Sequence, residues 1–150
     1  MDQRKYVVDV LVHYRDLRPL AKDQVRVTLL MRPLPADNTQ WAGIAMSEAW
    51  KSAVGQLMSG GPAPALPDNW STTDAAFSTR PLRSDIDART PRAVTFDADF
   101  TSLATGQYAV LLAIVHSTPD PVTAASLTGA TLGDLVLNCH QVAVRIVIGR

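Results

Sequence analysis

A single cysteine, Cys139, stands in a chain of 150 residues. It has no partner within the chain, so no disulfide framework holds the fold and a hydrophobic core must do so. An excess of either charge is also missing. Fourteen basic residues are matched by 14 acidic ones, which leaves a formal net charge of zero. A nucleic-acid footprint or a polybasic membrane patch needs a surplus of Lys and Arg, so neither is expected. No apolar run nears the roughly 20 residues needed to cross a bilayer, and no membrane insertion is expected. Met1-Asp-Gln-Arg-Lys5 leads into a stretch that Asp9 interrupts, which argues against a signal peptide. The lone thiol suits the cytoplasm, and export within a larger assembly is the alternative.

Catalytic signatures are equally scarce. There is no Gly-x-Ser-x-Gly elbow, and Gly60-Gly61 lacks the Lys-Ser/Thr of a phosphate loop. Cys139 and His140 are sequence neighbours, which a strand would point to opposite faces. His13, His116 and His140 show no zinc-ligand spacing, and a zinc site needs three or four convergent groups. Asp85-Ile-Asp87 and Asp97-Ala-Asp99 pair acids, but no glycine-containing calcium loop surrounds them. The chain therefore reads as non-enzymatic, with no catalytic residue, metal or cofactor. A small hydrolase using His116 or His140 as base is the third-ranked reading.

What the chain does have is alternation. An apolar fraction of 47% excludes general disorder, and the length suits one domain spanning 1–150. Arg92 to Ser117 reads as two strands joined by a turn. Val94, Phe96, Ala98 and Phe100 alternate with Thr95, Asp97, Asp99 and Thr101, which predicts a half-buried antiparallel strand. After Thr105-Gly106, residues 108–115 are apolar on both faces. That predicts a central strand covered on each side. Residues 6–14 and 24–32 alternate too and predict an antiparallel pair. Val142, Val144, Ile146 and Ile148 mark a last strand. Phe77 to Leu82 suits a short edge strand, because Pro81 cannot donate to a ladder.

Two helices are expected. Ser47 can cap a helix whose stripe is Trp50, Ala53, Val54, Leu57 and Met58, stopped by Gly60-Gly61-Pro62. Thr131-Leu-Gly-Asp134 forms a capping box ahead of Leu132, Leu135 and Val136. Strands do not alternate regularly with helices, so a parallel doubly wound sheet is not expected. An antiparallel β-sandwich buries the one-faced strands instead. Strands at both ends of the chain fit a domain of a longer polypeptide or one protomer of an assembly.

Asp9-Val-Leu-Val-His-Tyr and Asp23-Gln-Val-Arg-Val-Thr-Leu-Leu resemble adjacent strands of the CARDB-like immunoglobulin-like domains of bacterial surface and secreted proteins. Val94-Thr-Phe, Gly106-Gln-Tyr-Ala-Val and Asn138 before Val142-Ala-Val-Arg-Ile continue the likeness, over about half of the chain. The resemblance implies an immunoglobulin-like β-sandwich acting as a structural or adhesive module. It carries no active-site residue. The chain departs from it in a first strand that is missing or displaced and in a long insertion, about 33–74.

That insertion holds all three tryptophans, Trp41, Trp50 and Trp70. Trp is enriched at interfaces and on sugar-stacking platforms. Trp50 shares the helix stripe and so doubles as an anchor to the core. Trp41, Trp50, Trp70 and the adjacent Asn69 are the candidate binding residues. The expected partners are other protein chains, in a homo- or hetero-oligomeric assembly, with docking through the insertion. A carbohydrate-binding module is the alternative. The insertion is expected to fold over one edge or end of the sandwich.

Overall fold

The structure, a computed structural model, describes residues 5–36, 40–60, 64–73 and 79–149. In chain order the elements are β1 (Lys5–Val12), β2 (Val25–Pro33), α1 (Glu48–Met58), β3 (Ser71–Thr72) and β4 (Arg80–Pro81). They continue with β5 (Arg92–Asp99), β6 (Tyr108–Ser117), α2 (Leu132–Asn138) and β7 (Val142–Ile148). The fold is mainly β, with antiparallel sheets and two helices.

The doubly apolar run 108–115 sits where its composition demands. β6 lies between β2, paired from Val25↔Ser117 to Pro33↔Ala109, and β7, paired from Tyr108↔Ile148 to Ile114↔Val142. Short β3 and β4 both pair with the far side of β2, completing a five-stranded sheet. One face of this sheet presents Leu30, Val110, Leu112 and Ile114 to both helices. The other presents Val27, Leu29, Met31 and Leu111 to a second, two-stranded sheet. The chain thus forms three layers: helices, large sheet, small sheet.

The small sheet pairs β1 with β5, from Lys5↔Asp99 to Val12↔Arg92. The expected faces hold in both strands. Val94, Phe96 and Ala98 are buried while Asp97 and Asp99 are exposed, and Val8, Val10, Val12 and Tyr14 join the core between the sheets. The expected pairings do not hold. Residues 92–117 are not a hairpin, because β5 and β6 belong to different sheets. Phe100 and Leu103 are buried in the connection, at 7% and 1% exposure, so it crosses between the layers instead of turning back. Gly106, at φ +80°, donates its N–H to the Gly149 carbonyl at 2.8 Å and ties the loop to the end of β7. Nor does β1 pair with β2. Leu20, buried between them in sequence, exchanges backbone hydrogen bonds of 2.8 and 3.0 Å with Ile86 and carries the chain to the other sheet.

Capping chemistry sets both helices. Ser47 Oγ accepts the Trp50 N–H at 3.1 Å and starts α1. Gly60 ends it at φ +85°, leaving room for Arg26, whose Nη1 donates to the Met58 carbonyl at 3.3 Å. Gly55, a poor helix former, lies where a Cβ would come within 3.1 Å of the Ala124 backbone nitrogen. Its absent side chain lets the 124–126 turn pack on α1. In α2, Thr131 Oγ1 accepts the Asp134 N–H and Asp134 Oδ2 accepts the Thr131 N–H, at 3.2 and 3.3 Å. β4 occupies the end of the expected 77–82 strand, with Pro81 on the edge; 77–78 lie outside the described residues.

Candidate functional site: the insertion and the open sheet edges

The insertion meets the edge of β2 through β3 and covers a sheet face through α1. The reason is β6 itself: Val110, Leu112 and Ile114 need an apolar cover, and the Trp50, Val54, Leu57, Met58 stripe of α1 supplies it. Trp50 is fully buried and Trp70 is 4% exposed, with their ring centroids 5.8 Å apart and tilted by 46°. Both rings pack as pillars in the core that α1 shares with the sheet, and Trp70 also lines a surface cleft.

Trp41 differs. It is partly exposed and lies in a short 3₁₀ turn, Trp41–Gly43, that leans on α2. The following residues are stitched to the start of α2. Met46 donates to the Ala130 carbonyl at 2.9 Å, and Leu132 donates to the Ile44 carbonyl at 2.8 Å. The turn is therefore held by the fold and not by its own hydrogen bonds alone. Asn69 is exposed, at φ +63°, next to Asp68 at φ +60°; Asn and Asp tolerate this left-handed region better than other non-glycine residues. Ser47 Oγ donates to Asp68 Oδ2 at 2.6 Å and fixes this turn against α1. Asn69 lines a cleft of about 490 Å³ with Arg32, Pro33, Pro35, Trp70 and Gln107.

Two of the three histidines, His116 and His140, lie near Asp120. His140 Nε2 lies 2.7 Å from Asp120 Oδ2, and both side chains are more than half exposed. Asp120, which sequence reasoning passed over, also accepts Gln141 Nε2 at its carbonyl, at 2.7 Å. His116 Nδ1 accepts the Val122 N–H at 3.0 Å, which places the proton of the neutral ring on Nε2. Burial, and then the Arg26 guanidinium, hold His116 below the ordinary histidine pKa. Cys139 is buried while His140 is exposed, and burial pushes the thiol pKa up. Among the described residues no Ser or Cys side chain bonds to either histidine. Asp85 and Asp87 accept backbone N–H groups of Lys22 and Arg89, at 3.0 and 2.8 Å, and so act as turn supports.

A second feature lies between the sheets. Among the described residues β1 and β7 each pair with a single strand, and their free edges flank a cleft of about 570 Å³. Tyr6, Val8, Phe100, Leu111, Arg145 and Val147 line it. Three of the large exposed apolar side chains, Tyr6, Val7 and Ile148, stand on its rim. No protein-family model, curated protein or solved structure matches this chain.

Proposed function

We propose that the chain is a non-catalytic structural or protein-interaction module, an immunoglobulin-like β-sandwich elaborated by the 33–74 insertion, that packs against other protein chains in an assembly. Two antiparallel sheets sharing one core support the sandwich reading. The helices add a third layer that a bare sandwich lacks. The observation that carries the functional reading is Trp41, a partly exposed indole on a pinned turn of the insertion. A rigid aromatic ring makes an interface anchor at little entropic cost. Trp41 and Asn69 form the accessible part of the candidate binding set, since Trp50 and Trp70 face the sheet.

The test is thermal melting beside cross-linked capture from the native source, for Trp41→Ala and Trp50→Ala. Trp41→Ala, whose half-buried ring packs at the margin of the helix-side core, melts well above Trp50→Ala and loses partner capture. If it melts early and captures normally, the insertion is only a cover for the sheet. The carbohydrate-binding alternative keeps Trp41 as a stacking ring. It requires polysaccharide to quench fluorescence in the native chain and not in Trp41→Ala.

A further inference from the structure

The cleft between β1 and β7 is the place where the two sheets fail to close. Under β5 the core is complete, with Val94, Phe96 and Ala98 at 5%, 1% and 0% exposure. Under β1 it is not, because Val8 and Val10 are only half-buried. On β7, Ala143, Arg145 and Val147 pair with Ala113, Leu111 and Ala109, so they share the face that looks toward the small sheet. Yet Ala143 and Arg145 are exposed and Val147 is half-buried. The uncovered strip runs along both free edges. A strand with one neighbour leaves half of its backbone N–H and C=O groups unpaired on the other side.

We propose that this cleft receives one extended segment of another protein. The segment adds to β7 as a strand, turns apolar side chains toward Val8 and Leu111, and sets a carboxylate beside Arg145. Three features define that occupant. The free edge of β7 calls for a peptide backbone in extended form, as in strand addition to other sheet edges. Val8, Phe100, Leu111 and Val147 call for alternate apolar side chains. Arg145 calls for an acid. It has no ion pair among the described residues, and the one carboxylate on the cleft wall, Asp9, already accepts the Thr95 hydroxyl at 2.7 Å. The same cation disfavours a second copy of this chain. Arg145 is the middle residue of β7, so symmetric antiparallel pairing of two β7 edges sets it against its own copy.

The test uses the whole chain and three synthetic eight-residue peptides. The first alternates Val and Thr around a central Asp, the second carries Lys in place of that Asp, and the third has alternate backbone nitrogens methylated. Amide hydrogen exchange by NMR reads residues 142–148. The Asp peptide slows exchange along β7, and the Lys peptide binds at least about fivefold more weakly, as expected for one charge contact at a partly exposed site. Arg145→Glu, checked by melting, reverses that order. Trp41→Ala leaves peptide binding unchanged, which separates this cleft from the insertion surface. The proposal is overturned if no peptide slows exchange at millimolar concentration or if the methylated peptide binds equally well. It is also overturned if Arg145→Glu keeps the original preference, or if light scattering shows the chain alone pairing through β7.

Discussion

Replacing Trp50 by alanine removes the pillar between α1 and the large sheet. Its side chain is fully buried among Val54, Leu57, Leu112 and Trp70. Burying roughly 200 Å² of apolar surface at about 25 cal/mol per Å² gives a gross contribution of about 5 kcal/mol. The tilted ring pair with Trp70 adds about 1 kcal/mol. One effect opposes these. Trp50 Nε1 is buried with no hydrogen-bond partner among the described residues, and removing such a donor returns about 1–3 kcal/mol. The net loss expected for Trp50→Ala is about 3–5 kcal/mol, within the usual range for a buried tryptophan. For a domain of this size that lowers Tm by about 10 °C. A urea titration followed by far-ultraviolet circular dichroism measures it, with the slope m unchanged and the midpoint lowered. Trp50→Phe keeps most of the ring and deletes the unpartnered donor, so it should cost less than about 1.5 kcal/mol. If Trp50→Ala stays within about 1 kcal/mol of the native chain, α1 does not depend on this ring. If Trp50→Phe costs as much as Trp50→Ala, the indole N–H has a partner and the arithmetic above is wrong.

Two further predictions test the layer order and the half-buried His116. Leu112→Asp places an unpaired charge at a site with 0% exposure and should unfold the domain, at a cost of several kcal/mol against a total stability of about 5–15 kcal/mol. Asp97→Asn, on the exposed face of β5, should change stability by less than about 0.5 kcal/mol; equal effects in the same titration would remove β6 from the centre of the fold. His116 predicts the sign of a pH dependence. Burial and then Arg26 lower its folded pKa, while Asp120 acts in the opposite direction, so the unfolded chain takes up the proton first. Its contribution is complete above the unfolded pKa of about 6.5 and is lost as pH falls toward the lowered folded value. Melting curves taken between about pH 7 and about pH 5 should show this decline, and His116→Asn should make it shallower; an unchanged slope in the variant would assign the decline to other groups.

Which residues face inward was legible, because alternation reports side-chain direction directly. Val8, Val10 and Val12 in β1, and Val94, Phe96 and Ala98 in β5, all face the shared core as their period requires. The caps Ser47 and Thr131 were legible for a similar reason, since they act on groups within three residues. Pairing was not. Strand partners are chosen by contacts far apart in sequence, and the connection 100–107 is compatible with a turn or a crossing. The burial of Phe100 and Leu103 decides for the crossing. The position of the insertion did leave a signal. Leu30 lies on the opposite face of β2 from Val27, Leu29 and Met31, yet it is apolar and fully buried. Together with Val110, Leu112 and Ile114 it marks a second apolar face on the large sheet. The apolar stripe of α1 packs on that face.

The same reasoning explains why the candidate site was only half legible. Counting tryptophans located the insertion as special but could not separate core rings from exposed ones. That distinction depends on a sheet face to which neither Trp50 nor Trp70 belongs in sequence. The cleft was hidden for a different reason. In β7, Arg145 reads as one polar position in an alternating strand, and a polar position in such a strand is normally a solvated outer one. Its pairing with Leu111 reverses that assignment, because Leu111 faces the small sheet. An arginine on an inner face is tolerable only where the second sheet stops short. The exposure of Arg145 and of Ala143 beside it shows that the small sheet does stop short there. An inward charge at an open edge blocks casual pairing with like chains. It favours a strand that brings the opposite charge to the same position over one that brings a like charge, so on the proposal above the feature that protects this edge also selects what fills it.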